Sequence, residues 1–230
     1  MGKPDIIYED NDIIVCCKPA GIATQTRRIG QQDMESFIRN YRAAKNEPPY
    51  VGIVHRLDQP VEGVMVFAKN QKAAASLSRQ IKEHTTEKYY HAASRGHGVS
   101  GADKKEDNHD PAWHTLTDYI SFDKLTNTSK ITSEKDKLAK KAVLQYRVIS
   151  VTPDRDSSQN ECIKTEFDIK LLTGRHHQIR LQLANIGYPL IGDTKYGHTG
   201  GFAREQLALC SYKIVFDHPA TGERLTFELP

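Results

Sequence analysis

The sequence predicts an α+β fold built on a mixed, mainly antiparallel sheet with flanking helices. Three observations carry that expectation. Apolar runs of strand length are numerous, runs with helical periodicity are few, and the two do not alternate regularly. A steady strand–helix rhythm would instead announce a parallel sheet covered on both faces.

Residues 5–18 (DIIYEDNDIIVCCK) read as two short strands, one through Ile6, Ile7 and Tyr8 and one from Ile13 to Cys17, around an acidic turn. Lys18-Pro19-Ala20-Gly21 breaks the second. A helix begins at Asp33, where Met34, Phe37, Ile38 and Tyr41 recur at helical spacing, and Pro48-Pro49 ends that tendency. Val64 to Ala68 is a continuous apolar run, typical of a strand buried on both faces. The stretch NQKAAASLSRQIKEH then suits a helix capped by Asn70, with Ala74, Leu77 and Ile81 on one face.

Lys88 to Ser94 reads as a strand that sends one of Tyr89 and Tyr90 to the core and the other to the opposite side. Residues 97–111 and 133–141 are polar and read as surface insertions, the second leading into a strand from Ala142 to Val151. Thr165 to Leu171 alternates strictly, with Phe167, Ile169 and Leu171 on one face. After Thr173-Gly174-Arg175 the period becomes helical through Ile179, Leu183 and Ile186, and Gly187 stands at the C-cap. Strands at Leu209 to Phe216 and Arg224 to Leu229 close the chain around an Asp-His-Pro-Ala-Thr-Gly turn. Neither half has a convincing core alone, so residues 1–230 are expected to form a single domain.

With 38% hydrophobic and 27% charged residues, the composition is that of an ordinary globular chain. No apolar run approaches the roughly 20 residues of a membrane span, and the N-terminus lacks a secretory pattern, so a cytoplasmic location is expected. The four cysteines show no paired zinc spacing and read as reduced thiols. A formal charge of +3 permits nucleic-acid binding without demanding it.

Two clusters could carry chemistry. In IVHRLDQPVEG, Asp58 precedes a buried strand, where a rigid scaffold often displays functional groups. Asp58, Pro60 and Gly63 are also turn formers, so a plain turn competes, with Arg56 on the same face if the segment is extended. The second cluster, Arg175-His176-His177-Gln178-Ile179-Arg180, gathers five hydrogen-bonding side chains at a helix start, which suits either a phosphate or a solvated surface. Adjacent histidines on a helix face different ways and lack a further ligand at metal spacing, so no metal is expected.

Taken together and in order, these pieces resemble the RluA-type RNA pseudouridine synthases. The resemblance rests on "HRLD" at 55–58 followed by "GVMVFAK", "KYY" at 88–90 and "TGRHHQIRLQLANIGYPLIGDTKYG" at 173–197. "IIYEDNDIIVCCKPAGI", "AKKAVLQYRVI" and "FDHPATGERLTFELP" support it, so it covers nearly the whole chain. It implies the pseudouridine synthase fold, an RNA substrate (ribosomal or transfer RNA) and no cofactor. Many members carry an N-terminal RNA-binding domain of the ribosomal-protein type; the pattern begins almost at residue 5 here, so that domain is expected to be absent, and a monomer is the default for so compact an architecture. It also implies that Asp58 is the catalytic aspartate, acting on the ribose as nucleophile or as base. Tyr90 would stack on the target base and Arg180 would be the basic residue paired with the aspartate, with Ile179 as its apolar neighbour. Arg56 would hold the flipped-out RNA, with His55, Arg175, His177, Gln178 and Lys18 as further RNA contacts. Two departures stand out: Val61-Glu62 where the family carries Thr-Ser before the glycine, and His176 where it carries threonine.

Overall fold

The computed structural model describes residues 4–26, 28, 30–96, 112–155, 161–197 and 205–229. In chain order its elements are β1 (Asp5–Glu9), β2 (Ile13–Lys18), α1 (Met34–Ala44), β3 (Gly52–Ile53), β4 (Glu62–Ala68), α2 (Gln71–Lys82), β5 (Glu87–Gly96), β6 (His114–Asp123), β7 (Thr128–Thr132), β8 (Lys140–Arg155), β9 (Glu161–Leu171), α3 (Gln178–Asn185), β10 (Leu209–Asp217) and β11 (Arg224–Glu228). The chain divides into two compact units, Met1–Lys88 with Cys210–Pro230, and Tyr89–Leu209.

In the first unit β2 pairs antiparallel with both β1 and β4, while β4 runs parallel to β10, which pairs antiparallel with β11. Ile13, Val15, Val64, Val66, Ile214 and Phe216 form a core with Ala73 and Leu77 of α2. Nonpolar residues that leave water here supply the main driving force, at about 25 cal/mol per Å². Asp33 caps α1 through Ser36 N–H in a reciprocal capping box, and Asn70 caps α2 through Ala73 N–H. The buried stripe of α2 is Ala73, Leu77 and Gln80, displaced by one position from the expected Ala74, Leu77 and Ile81. Gln80 tolerates burial because its amide both donates to and accepts from the backbone of Asp217, at 2.8 Å each.

The parallel contact between β4 and β10 explains Gly63. Its φ is +139°, and a Cβ there would lie 2.3 Å from the Ser211 carbonyl oxygen. Only glycine permits that approach.

The second unit is an antiparallel sheet in the order β5-β9-β8-β6-β7. Leu181 of α3 packs on Ile120 and Ala142, with Ile131 and Tyr196 beside them. Phe167 and Ile169 are fully buried, as the alternation predicts. The hairpin of β6 and β7 has no counterpart in the sequence reading, because β6 buries only Ile120 and Ser121 and so shows no apolar face. The segment 133–141 is a short turn whose last two residues belong to β8. The expected insertion at 97–111 lies outside the described residues.

Candidate active site

Asp58 sits half-buried in a turn whose backbone is held from both sides. The Thr24 hydroxyl accepts from Leu57 N–H at 3.1 Å and donates to Leu57 C=O at 3.0 Å. On the other side, the Gln59 carbonyl accepts from Gly21 N–H at 2.8 Å and from the Lys18 ammonium at 3.1 Å. Val61 N–H closes the turn on the Asp58 carbonyl at 3.0 Å. Asp58 therefore lies on a turn, and the backbone on both sides of it is held by hydrogen bonds.

Lys18, expected to meet RNA, is instead fully buried. Its three ammonium protons go to the carbonyls of Pro19, Ile22 and Gln59 at 3.0, 2.6 and 3.1 Å. Burial pulls its pKa down to about 8, while the charges of Asp58, Cys17 and Glu62 work the other way. Its position at the end of β2, inside a sheet covered on both faces, leaves no route to a surface contact. Of the Val61-Glu62 pair, Val61 is 2% exposed and fills the core, so a hydroxyl at that place would face no solvent.

His55 is half-buried and its Nε2 accepts from Val66 N–H at 3.1 Å. Burial, reinforced by the charge of Lys88, pushes its pKa down to about 3, so the ring is neutral. Arg56 is exposed.

Tyr90, Arg175, His177, Gln178, Ile179 and Arg180 belong to the second unit. Tyr90 is 5% exposed on β5, opposite Ile169, while Tyr89 lies under the Lys170 ammonium at 5.3 Å from the ring centre. Arg180 is buried and forms a bidentate pair with Asp193, Nε to Oδ2 at 2.8 Å and Nη2 to Oδ1 at 2.7 Å. Burial works to raise the Asp193 carboxyl, but Arg180 and the backbone N–H groups of Lys195 and Tyr196 outweigh it and hold the pKa below its ordinary value. Asp193 is the residue that sequence reasoning missed. It lies within the quoted block, thirteen positions beyond Arg180, at a spacing that no helical or strand period links.

The two histidines precede α3 rather than riding on it. His177 is the N-cap in the left-handed region, at φ 54°, and its ring stacks on His176 with centres 3.7 Å apart. The expectation that they face different ways fails because that backbone conformation turns them together. His177 is buried, and burial followed by the charge of Arg180 pushes its pKa down to about 3. Gln178 is also buried. Its Oε1 accepts from Thr173 and from Arg175 N–H, and its Nε2 donates to Gln182, so it ties the β9–α3 turn together. Arg175 is half-buried with Nε on the Lys141 carbonyl, and Ile179 is 4% exposed.

Among the described residues one group has metal-ligand spacing: Asp10, Asp12 and His218. Asp10 Oδ1 accepts from Asp12 and Ile13 N–H, and His218 Nδ1 accepts from Thr221 N–H while Nε2 meets Asp10 Oδ2 at 2.9 Å. These bonds clasp two turns.

The sequence matches the family described as RNA pseudouridylate synthase over residues 12–185, and the chain belongs to it. It is 33% identical to the "Uncharacterized RNA pseudouridine synthase YhcT" of Bacillus subtilis (strain 168), covering all of this chain and 69% of that protein. Identity is 31% to the ribosomal large subunit pseudouridine synthase D of Vibrio cholerae, with 98% and 67% covered. It is 28% to the tRNA pseudouridine synthase C of Yersinia pestis, with 96% and 84% covered. The chain spans 58% of the tRNA pseudouridine synthase C of Pectobacterium carotovorum, so some curated relatives are much longer. Human RNA Pseudouridylate Synthase Domain Containing 1 shares the fold, with a TM-score of 0.73 at 23% identity over 99% of this chain and 83% of that one. No helix among the described residues is long and apolar enough to cross a membrane.

Proposed function

We propose that this chain isomerises uridines in structured ribosomal or transfer RNA to pseudouridine, with Asp58 acting on the ribose. The observation that carries the reading is the clasp around Asp58, in which Thr24, Gly21 and Lys18 pin the backbone on both sides of one carboxylate. In this reading the bond between the ribose and N1 of uracil breaks, the base turns, and a new bond forms from the ribose to C5, which gives up its proton. The exchange is redox-neutral and balances without a cofactor or metal. The target base leaves its stack at a cost of a few kcal/mol, and Tyr90 offsets part of that by stacking. Arg180 is the fixed positive charge of the site, Ile179 lines its apolar side, and Arg56, Arg175 and His55 meet RNA. Lys18, His177 and Gln178, being buried, shape the site from within.

The names of relatives that act on ribosomal large subunit RNA and on tRNA support both RNA classes. We further read the protein as a cytoplasmic monomer working on RNA alone. Asp58→Ala should abolish tritium release from RNA labelled at uridine C5 while circular dichroism and melting stay close to wild type. Release at the wild-type rate would remove Asp58 from the mechanism.

A further inference from the structure

Strand alternation gives the sheet of the second unit two unlike faces. One carries Tyr90, Leu144, Phe167 and Ile169. The helix α3 packs on that face, with Leu181 against Ile120 and Ala142. Cross-strand register fixes what stands on the other face. Tyr89 of β5 pairs with Lys170 of β9, which pairs with Gln145 of β8. One row along, exposed His91 pairs with Asp168, and Asp168 with Arg147. Trp113, directly before β6, lies under the Arg147 guanidinium, 4.9 Å from the ring centre, and so belongs to this face.

The Asp168 side chain is 5% exposed, and its Oδ2 accepts from Arg147 Nε and Nη2 at 3.0 and 2.7 Å. The guanidinium is thereby held from below and laid over the indole, which fixes a group that would otherwise swing. Its Nε–H and one Nη2–H are used, and among the described residues its Nη1 hydrogens are left for a ligand. Trp113 itself is 38% exposed. Tyr89 repeats the arrangement, with the Lys170 ammonium 5.3 Å from its ring centre. A ring with its own cation thus occurs twice on one face, on the order of 14 Å apart across three strand spacings. An aromatic face takes a flat ring, and a guanidinium or ammonium takes an anion. A polymer that alternates open flat rings with negative charges satisfies both, which is the chemistry of single-stranded nucleic acid. A duplex hides its base faces, and an acidic peptide brings the charge without the repeating rings.

We infer that this face, on the reverse of the sheet from Tyr90, binds a single-stranded segment of the RNA substrate, with bases on Trp113 and Tyr89 and phosphates on Arg147 and Lys170. The inference rests on the proposed function, which makes RNA the ligand, and extends it to a surface outside the catalytic residues. Stacking accepts any base, so this surface adds affinity without choosing the uridine.

Trp113 is the only tryptophan of the chain, so its fluorescence reads this face alone. Titration with single-stranded oligouridylate and with unmodified transfer RNA is expected to quench it. Heparin, which carries charge without bases, is expected to leave it nearly unchanged. By anisotropy of labelled oligouridylate, Trp113→Ala should bind about tenfold more weakly, while Trp113→Phe keeps most of the affinity. Lys170→Met should lower the slope of log K against log salt by about 0.7, as for one phosphate of a single strand. Trp113→Ala should melt within about 2 °C of wild type, because the residue lies at the surface. Should that variant unfold instead, the wild-type quench and the Lys170→Met slope decide. The inference is overturned by an unquenched indole, by equal quenching with heparin, by wild-type affinity in a folded Trp113→Ala, or by an unchanged slope in Lys170→Met. Tritium release from C5-labelled RNA by the wild-type protein tests the reading beneath it. Release without quenching removes this surface alone, and no release from either RNA class removes the functional reading whatever the indole reports.

Discussion

Asp193→Asn is nearly isosteric and removes one charge from a pair in which the arginine is 4% exposed and the aspartate side chain is 0% exposed. What remains is a buried guanidinium facing a neutral amide. Breaking one side of a buried pair costs about 3–5 kcal/mol. The asparagine oxygen can keep the backbone N–H groups of Lys195 and Tyr196, at 2.9 and 3.1 Å, so the lower end, about 3 kcal/mol, applies. At about 2–4 °C per kcal/mol for a chain of this size, melting should fall by about 6–12 °C. Turnover at a temperature where the variant remains folded should fall as well, because Arg180 loses the acceptor that sets its direction. Thermal and urea unfolding with a tritium-release assay would measure both. Adding Arg180→Met to Asp193→Asn should recover much of the stability and none of the activity, which separates pairing from chemistry. A single variant that melts within about 2 °C of wild type and turns over normally would refute the clamp as the anchor of Arg180.

Thr24→Val keeps the shape of the side chain and removes both bonds to Leu57, leaving buried polar atoms without partners at about 1–3 kcal/mol each. Its kcat should fall up to about a hundredfold as Asp58 shifts, with RNA affinity little changed; a wild-type kcat would count against the clasp. Glu9 joins Lys45 and Lys69, which together with the Tyr41 hydroxyl overcome burial and hold its pKa at about 2 rather than 4.5. Its folded pKa is depressed, so its contribution is full above pH 4.5 and is lost as pH falls toward 2. Acid unfolding of Glu9→Gln should therefore be shallower across that window, and identical acid transitions would reject the assignment.

Much of the frame is legible in the sequence for physical reasons that act locally. The run Val64 to Ala68 has to be a strand inside a sheet, and β4 is buried along almost its whole length. Asp33 and Asn70 stand where helices need side-chain acceptors, and both cap as expected. Gly187 ends α3 with φ 89°. The motif at 55–58 and the long block at 173–197 together point to the family that the match over residues 12–185 shows. The hairpin of β6 and β7 is illegible because its residues mostly face water and carry no period to read.

The site itself divides along the same line. The sequence by itself determined the family and nominated the groups, since Asp58, Tyr90 and Arg180 are read from motif and order alone. Tertiary structure decided how they are held. Lys18 looked like a surface cation and became a buried strut because β2 is covered on both faces. His176 and His177 looked opposed and became stacked because one residue takes a left-handed turn. Asp193 and Thr24 carried no signal, because a hydrogen-bonded partner is chosen by distance in space, and residues 13 or 33 positions apart meet only once the chain has folded.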